Sequence, residues 1–540
     1  MATNAAPKVE RQTTVRRTAS QTTVRELASN EFIFGVVGPV GSGTSEIAEA
    51  LQSLLKIRGY QAKILKARDI ISAWAANQGH PIPAGPKLAE TEALQNSGDQ
   101  LREQTGDNAA VALRLISAIR VERARQLGLT VDKGKPIEPD GKNRAFILDS
   151  LRHPHEVALL RRVYQDAFCL IGIVCDEAER SRRLREEKYR DAGADALEKL
   201  MRRDENAPEK HGQKVADTFH LADFFVDNTV RRFAVKPGGK KEENAEWNVP
   251  DQLGRLIDVL NHSRIVRPRP NEVGMFHAYG ARMRSSCLSR QVGAALLDEK
   301  GNVIATGTNE VPRAGGGVYG GRFEQGSASD PHPDHDFRCV VHNGYCSNNR
   351  EQNAIIRSLL SEIDEFKTLG TSDDLIKRIR KTRIGQLIEF SRSVHAEMDA
   401  LLSAARQGVS TAGTRLFVTT FPCHNCARHI VAAGVDEVHF IEPYLKSKAL
   451  PLHGDAITTD EKNWLPPSAG HSGKHPRVLF RPFTGVAPRL FRRAFYKDRD
   501  LKDDYTGDMK AAFGPADGHA TFDTLRVSYA QVEARLAESE

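Results

Sequence analysis

Short apolar runs alternate with helical patterns over the first half of the chain. Phe32–Val37 is an almost continuous apolar run, which is typical of a strand buried on both faces of a parallel sheet. Apolar residues at a helical spacing follow it, and similar runs recur at Ala145–Leu148, Leu170–Val174 and Phe224–Val226. Strands that alternate with helices predict an α/β fold whose parallel sheet has helices on both faces.

A polar stretch with two prolines separates this region from a second α/β unit. In the second unit a β-hairpin is predicted to turn at 298–302, and helical and strand patterns alternate up to Val438–Ile441. The predicted organisation is a flexible tail over 1–30, a first domain over 31–263, a linker over 264–271, and a second domain with a C-terminal extension over 272–540.

Composition narrows the class of protein. Hydrophobic residues make up 40 % and charged residues 27 % of the 540 positions, which excludes collagen-like and wholly disordered chains. The net charge of +7 does not require a nucleic acid but suits an anionic substrate such as a nucleotide. No apolar run approaches the ~20 residues of a membrane span. Seven sparse cysteines favour metal thiolates in a reducing compartment, so we expect a cytoplasmic protein without membrane contact.

The strongest chemical signal is a histidine–glutamate pair followed by a cysteine pair. His395 and Glu397 open one predicted helix, and Cys423 and Cys426 open another that follows a strand. A Cys-x-x-Cys pair alone would fit a redox pair or half of a structural zinc site. Three protein ligands, however, leave the fourth position of a tetrahedral zinc ion for water, as in catalytic sites. The combined pattern is that of zinc deaminases, in which the glutamate transfers protons and does not bind the metal.

Residues from about 272 to 450 resemble the deoxycytidylate deaminase branch of the cytidine deaminase superfamily. Besides the zinc pattern, the resemblance rests on Arg-Ser-Ser-Cys at 284–287, Val-Gly-Ala at 292–294, Thr-Gly-Thr-Asn at 306–309, Thr-Thr-Phe-Pro-Cys at 419–423 and Ala-Gly-Val at 433–435. Thr308 stands where this branch usually has tyrosine. The resemblance implies a three-layer α/β/α domain around a mixed five-stranded sheet, and hydrolytic attack at C4 of a deoxycytidine nucleotide with release of ammonia.

Further residues are candidates for binding the nucleotide. The resemblance implies that Asn309 contacts the sugar; the alternative is a turn residue chosen for its backbone conformation. Tyr444 follows a strand beside the site and could stack on or hydrogen-bond the nucleotide. Lys446 and Lys448 could meet phosphates, and a solvated loop is the alternative.

A second, structural zinc ion is implied by the same resemblance, because some deoxycytidylate deaminases bind one through an insertion. Four ligands would complete such a closed tetrahedral site. The alternative is an exposed polar loop whose histidines are incidental. The candidate ligands are Cys287, Cys339 and Cys346 with one of His332, His335 and His342.

A glycine-rich loop follows the first predicted strand. Residues 38–45 read Gly-Pro-Val-Gly-Ser-Gly-Thr-Ser and open a predicted helix, the context in which P-loop backbone N–H groups cradle phosphate. Thr44 replaces the consensus lysine, which removes the charge that normally meets the β- and γ-phosphates. The candidate nucleotide-binding residues are Gly38, Gly41, Gly43, Thr44, Ser45 and Asp149.

The first domain also resembles P-loop nucleoside-monophosphate kinases, through the loop, the segments 149–152 and 225–228, and the arginine-rich stretch 180–203. Three interpretations stay open. The domain is a scaffold that retains the fold, a nucleotide sensor that regulates the deaminase, or an active kinase, which Thr44 disfavours.

The order of the two domains resembles the bacterial anti-phage dCTP deaminases. That resemblance implies zinc-dependent deamination of dCTP and/or dCMP, which depletes the dCTP pool during phage infection, with toxicity restrained by a small RNA or protein antitoxin. We also expect a homo-oligomer. The alternative function is a deaminase of RNA or single-stranded DNA, which 6 % aromatic residues and the modest charge disfavour. A non-enzymatic module is disfavoured because a purely structural zinc site needs no adjacent Glu397.

Overall fold

A computed structural model describes residues 27, 29–207, 209, 211–235, 240–320, 336–444, 446–470, 475–497, 501–509 and 526–538. Most of the predicted tail lies outside these residues. Ser29, however, is fully buried, and its hydroxyl lies 2.5 Å from that of Tyr529. The folded part of the chain therefore begins before the predicted limit at residue 30.

The first sheet is parallel, as predicted, and contains five parallel strands, one more than the four apolar runs indicated. They are β1 (Glu31–Val37), β2 (Gln61–Lys66), β3 (Arg144–Asp149), β4 (Phe168–Val174) and β5 (Phe224–Asp227). Their order is β5-β4-β1-β3-β2, so the chain crosses first to one side of β1 and later to the other. The carboxyl end of β1 is thus a topological switch point, the place where α/β sheets bind ligands. Strands β6 (Phe233–Val235) and β7 (Lys241–Glu243) form a separate hairpin.

Helices cover both faces of this sheet. Phe32, Phe34 and Val36 of β1 pack on one face and Ile33 and Val37 on the other, as the alternation of side chains along a strand requires. The arginine-rich stretch is not one helix, because a π-helical turn at Leu184–Lys188 follows its first segment. The helices are α1 (Thr44–Ile57), α2 (Ala67–Asn77), α3 (Lys87–Thr105), α4 (Ala110–Leu127), α5 (Pro154–Tyr164), α6 (Glu177–Arg183), α7 (Ala194–Glu205), α8 (Val215–Phe219) and α9 (Val249–Asn261).

The second sheet is mixed and has six strands in the order β12-β13-β11-β10-β8-β9. The resemblance implied five strands; the structure adds β12, a two-residue strand too short to leave a pattern in the sequence. The predicted hairpin is confirmed, because β8 and β9 pair antiparallel. The strands are β8 (Gly293–Leu297), β9 (Val303–Thr308), β10 (Arg415–Thr420), β11 (Glu437–Glu442), β12 (Ile457–Thr458) and β13 (Val478–Pro482).

Helices flank this second sheet as well. Ala295, Leu297 and Phe417 pack with α10 on one face, whereas Ala294 and Leu416 share a core with α13 and α14 on the other. Helix α10 begins at Pro270, so the last residues of the predicted linker are helical. The helices are α10 (Pro270–Arg282), α11 (Ser347–Glu362), α12 (Ser372–Ile379), α13 (Ala396–Arg406), α14 (His424–Ala432), α15 (Ala449–His453), α16 (Pro488–Phe495) and α17 (Arg526–Glu538). Within the described ranges, no helix combines the length and apolar character needed to cross a bilayer.

The C-terminal extension returns to the first unit. Strand β14 (Gly485–Val486) pairs antiparallel with β5 and joins the first sheet. The fully buried Glu272 accepts two hydrogen bonds from Arg255, at 2.6 and 2.7 Å, and one from the Val486 N–H at 2.8 Å. The predicted boundaries, with 272–540 as a separate second domain, are therefore corrected, because part of that range completes the first sheet.

A buried arginine holds the last helix in place. Arg123 of α4 is fully buried between the carboxylates of Glu31 and Glu533, the second of which lies on α17. Its Nη1 and Nη2 donate to Glu533 at 2.5 and 3.0 Å, and its Nη2 lies 2.8 Å from Glu31 Oε2. The Tyr164 hydroxyl donates to the same Glu533 at 2.7 Å. Residues from the two ends of the chain thus complete one buried polar network.

A buried histidine caps helix α5. His153 Nδ1 accepts the backbone N–H of His155 at 3.2 Å, which requires an unprotonated Nδ1. Burial, and then the charge of Arg102, lowers the pKa of His153 to about 3, and His155, Lys214 and His211 act in the same direction. The unfolded chain, with a histidine pKa of about 6.5, therefore binds more protons than the folded one between these two values.

Acidification below pH 6.5 is consequently expected to lower the free energy of unfolding. The variant His153→Asn keeps a capping oxygen but has no group that titrates in this range. The decrease in its free energy of unfolding between about pH 7.5 and about pH 5.5 should therefore be smaller by about 1 kcal/mol than that of the unchanged protein. Urea denaturation at both pH values measures this difference. His80→Asn, at an exposed position that does not act on the pKa of His153, is the control. Equal pH dependence in His153→Asn and the unchanged protein would contradict the assignment.

Candidate active site

Two helix N-termini bring the predicted zinc ligands together. His395 is the N-cap of α13 and Cys423 the N-cap of α14, with Cys426 in the first turn of α14. His395 Nδ1 lies 3.2 Å from Cys426 Sγ and 3.4 Å from Cys423 Sγ. All three ligand atoms lie within 4.8 Å of one another. The local start of each helix therefore sets the geometry of the site.

Helix α13 reaches this position because β9 leaves room for it. A Cβ atom on Gly307 would lie 2.1 Å from the Ala396 carbonyl oxygen and 2.3 Å from the Ala400 nitrogen. These are backbone atoms of the turn that follows His395, so they cannot move aside for a side chain. Glycine at this strand position thus allows α13 to lie directly against β9.

The electrostatics of the cluster favour an anionic sulfur. Hydrogen bonds from the Cys426 thiol and from His395 lower the pKa of Cys423 to about 4 against the effect of burial. The Cys426 backbone N–H also donates to Cys423 Sγ, at 3.4 Å. The contact with Cys423 in turn raises the pKa of His395 to about 9. A thiolate at a helix N-terminus is the form of cysteine that binds metals.

The donor set fits zinc. Two cysteine sulfurs and one imidazole nitrogen are a common three-ligand set for catalytic zinc. Among the described residues, these three form the one group of histidine, cysteine and acidic side chains close enough to hold a metal. Glu397 is 4 % exposed, and burial raises its pKa. Its carboxyl contacts the Cys426 thiol, so it lies beside the cluster without belonging to it.

Asn309 hydrogen-bonds the backbone of a neighbouring loop through both polar atoms of its side chain. Its Nδ2 donates to the Arg290 carbonyl at 2.5 Å, and its Oδ1 accepts the Val292 N–H at 2.6 Å. The side chain therefore orders the segment before β8. Its predicted contact with a sugar stays a prediction, since one lone pair of Oδ1 is still available.

The loop after β11 places Tyr444 beside the cysteines. The Cys423 charge contributes to the raised pKa of Tyr444, whose main cause is burial. The Arg290 guanidinium lies 5.8 Å from the centre of the Tyr444 ring. Ser447 Oγ donates to the Pro422 carbonyl at 2.7 Å, which ties this loop to the start of α14. Lys446 and Lys448 are exposed on the same loop.

A partly buried ion pair that the sequence did not predict lies next to the segment before Cys423. Glu442, at the end of β11, accepts from Arg282 at 2.7 Å and from the Thr420 hydroxyl at 3.0 Å. Its backbone oxygen accepts the Phe421 N–H at 2.8 Å, so it supports the segment that leads to Cys423. The sequence showed an acidic residue at the end of a buried strand. It could not show the pairing, because the partner Arg282 lies on a helix 160 positions earlier in the chain.

The described candidates for a second zinc ion are not gathered into a comparable group. Cys287, Cys339, Cys346 and His342 provide no three ligand atoms that all lie within 4.8 Å of one another. Cys346 Sγ lies 3.3 Å from the Ser289 hydroxyl. The other two candidates, His332 and His335, lie outside the described residues, so this site stays a prediction.

The candidate P-loop residues lie at the carboxyl ends of β1 and β3. Gly38 follows β1, and Thr44 begins α1 after Gly41 and Gly43, which have φ values of 85° and 88°. The Ser45 hydroxyl donates to Asp149 Oδ2 at 2.7 Å. The structure therefore brings all six candidates to one edge of the sheet.

Comparisons with known proteins point to the second sheet and its helices. The family model of the cytidine and deoxycytidylate deaminase zinc-binding region matches residues 270–442. Deoxycytidylate deaminase of Enterobacteria phage T4 is 30 % identical over 32 % of this chain and 77 % of its own length. The enzyme of phage T2 is 31 % identical over 32 % of this chain and 79 % of its own. The match with the solved dCMP deaminase of cyanophage S-TIM5 covers 40 % of this chain and 100 % of the cyanophage protein. The sequence identity is 17 % and the TM-score is 0.20.

The matched region contains the four residues of the zinc pattern. The match covers most of the length of both phage enzymes, so the similarity extends beyond the zinc pattern itself. This chain belongs to the cytidine and deoxycytidylate deaminase family.

Proposed function

We propose that the protein is a zinc-dependent hydrolase that converts deoxycytidine nucleotides, dCMP and/or dCTP, to deoxyuridine nucleotides and ammonia. The observation that carries the proposal is the convergence of His395, Cys423 and Cys426 beside the buried Glu397. The relatives in phages T4 and T2 are deoxycytidylate deaminases, which supports dCMP as a substrate.

The proposed mechanism assigns a distinct role to each side chain. His395, Cys423 and Cys426 would hold a zinc ion, which would supply a Lewis acid that lowers the pKa of water. Glu397 accepts the proton that the attacking water loses and delivers protons to the ring nitrogen and the departing amino group. Its raised pKa suits this exchange, because a buried carboxyl that binds a proton readily can also return it. Water and the nucleotide are consumed, and one ammonia is released.

The surroundings of the cluster support a nucleotide substrate. Tyr444 offers a ring beside Cys423, and Arg290, Lys446 and Lys448 offer positive charge on neighbouring loops. Asn309 acts by ordering the loop that carries Arg290. A phosphate group would be recognised by these cations.

The proposal extends to the biological role that the domain order implies. Deamination of dCTP and/or dCMP would deplete the dCTP pool as an anti-phage defence, restrained by a small RNA or protein antitoxin. The protein would act as a homo-oligomer in the cytoplasm. The P-loop unit would bind a nucleotide as a regulatory signal, because the loop keeps its backbone form without the lysine used in transfer.

A substrate panel tests the proposed reaction. The purified protein is incubated with dCMP, dCTP, CTP, deoxycytidine, and DNA and RNA oligonucleotides, and released ammonia is measured. We expect release from dCMP or dCTP, and its loss after chelation of zinc, with recovery when zinc is returned. Release from oligonucleotides but not from free nucleotides would favour a nucleic-acid deaminase and overturn the proposal.

A further inference from the structure

A cavity of about 400 Å³ lies over the P-loop at the carboxyl end of β1. The loop forms its floor, and side chains of α6, the π-helical turn and the segment 231–233 form its walls. It lies at the switch point of the first sheet, far along the chain from the family's zinc-binding region, which begins at residue 270. None of the residues that line the cavity belongs to the proposed deaminase site.

Three residues of the loop that line this cavity have backbone donors left unpaired in the described structure. Val40 N–H donates to Asp204 at 2.7 Å and Ser42 N–H to the Pro39 carbonyl at 3.0 Å. The N–H groups of Gly41, Gly43 and Thr44 make no hydrogen bond within the described part of the chain. Such donors at the start of a helix attract an anion.

Arg183 brings a positive charge to the place where the P-loop lysine is missing. Its Nη1 lies 3.5 Å from the position of a Cβ atom on Gly43, the residue before Thr44. Its Nε donates to Glu179 at 3.1 Å, and its Nη2 donates to the Asn228 carbonyl at 2.7 Å. These bonds fix the guanidinium, while Nη1 has no partner among the described residues. An arginine held in this way can meet a phosphate without further ordering.

The lining of the cavity carries more positive than negative charge. The cations outnumber the carboxylates, although, among the described residues, every one of these cations except Lys188 also forms an ion pair with an acidic group outside the lining. A cavity lined mainly by one sign of charge concentrates ligands of the opposite sign. The cations are Arg152, Arg183, Lys188, Arg231 and Arg232, and the carboxylates are Glu46 and Glu187.

A second buried guanidinium packs against the loop and is only partly paired, because its Nη2 donates to Glu205 at 3.3 Å. Arg180 is 5 % exposed, and its backbone oxygen lies 3.0 Å from the position of a Cβ atom on Gly41. Its Nε and Nη1 have no hydrogen-bond partner in the described part of the structure. Arg180 does not line the cavity, so it adds positive charge beside the loop and not a direct contact for a ligand.

We infer that this cavity binds the polyphosphate chain of a nucleoside triphosphate, with Arg183 in place of the missing P-loop lysine. The inference deepens the nucleotide-binding role proposed above for the P-loop unit. It does not depend on deamination, since it concerns a different sheet and a different set of side chains.

Calorimetric titration of the full-length Glu397→Gln variant tests this inference without turnover. The probes are ATP, inorganic tripolyphosphate and adenosine, and ATP lacks the cytosine that the deaminase site would require. We expect ATP and tripolyphosphate to bind and adenosine not to bind. Equal affinities for ATP and tripolyphosphate would show that the phosphate chain alone is a sufficient ligand. Tighter binding of ATP would show that the nucleoside also contributes to binding. No binding of either up to about 1 mM, or equal binding of adenosine, would overturn the inference.

Variants at position 183 test the source of the charge. Arg183→Gln should weaken ATP binding at least about tenfold, and Arg183→Lys, which keeps the charge, should weaken it less. Arg182→Gln is the matched control, because Arg182 also pairs with Glu179 but is half-exposed and does not line the cavity. The assignment would be wrong if Arg182→Gln weakened ATP binding as much as Arg183→Gln. It would also be wrong if folded Arg183→Lys lost as much affinity for ATP as Arg183→Gln. If Arg183→Gln does not fold, the titration of the three probes still decides whether the cavity binds polyphosphate.

Discussion

Replacing Glu397→Gln is expected to lower kcat for deoxycytidine nucleotide deamination by about 10²- to 10⁴-fold. The amide keeps the size of the side chain but cannot accept a proton from water. The three groups that surround the zinc position, His395, Cys423 and Cys426, remain unchanged. Zinc content measured by elemental analysis should therefore stay at the level of the unchanged protein while ammonia release falls.

A matched control separates this effect from a general loss of charge. Glu351→Gln makes the same substitution at an exposed position of α11 and should leave kcat unchanged. If zinc-loaded Glu397→Gln retained activity within about tenfold of the unchanged protein, the proton-transfer role of Glu397 would be wrong. Loss of zinc together with activity would instead show that Glu397 supports the metal site.

Replacing Arg123→Met is expected to lower the free energy of unfolding by about 3–5 kcal/mol. Removal of the guanidinium leaves the carboxylates of Glu31 and Glu533 buried without their main partner. One of them belongs to β1 and the other to α17, so the contact between the first strand and the last helix is weakened. Urea denaturation followed by tryptophan fluorescence measures the change.

Arg125→Met is the control for this prediction. Arg125 lies on the same helix, and its ion pair with Glu122 is exposed on the arginine side. We expect no resolvable change in the urea midpoint, since ion pairs at exposed positions contribute little to stability. An unchanged midpoint in Arg123→Met as well would contradict the importance of the buried network.

The grouping of His395, Cys423 and Cys426 is the part of the protein that could be predicted most fully from the sequence. Its ligands lie at the starts of two helices, and local signals locate such starts: a strand before Cys423 and an apolar face after His395. The apolar runs of β1, β3 and β4 were equally clear, because these strands are buried along their whole length. Strand β2 left no such signal, since it lies at the sheet edge and several of its side chains are exposed.

The sequence by itself determined the mixed α/β class, the four residues of the zinc pattern and the position of the glycine-rich loop after β1. Each depends on residues close together in the chain, whose spacing and polarity act locally. Only the tertiary structure decided that Val486 joins the first sheet, that Glu533 pairs with Arg123 across 410 positions, and that Arg183 lies beside Thr44. No local period encodes these contacts, because they form only when the sheets and helices pack together.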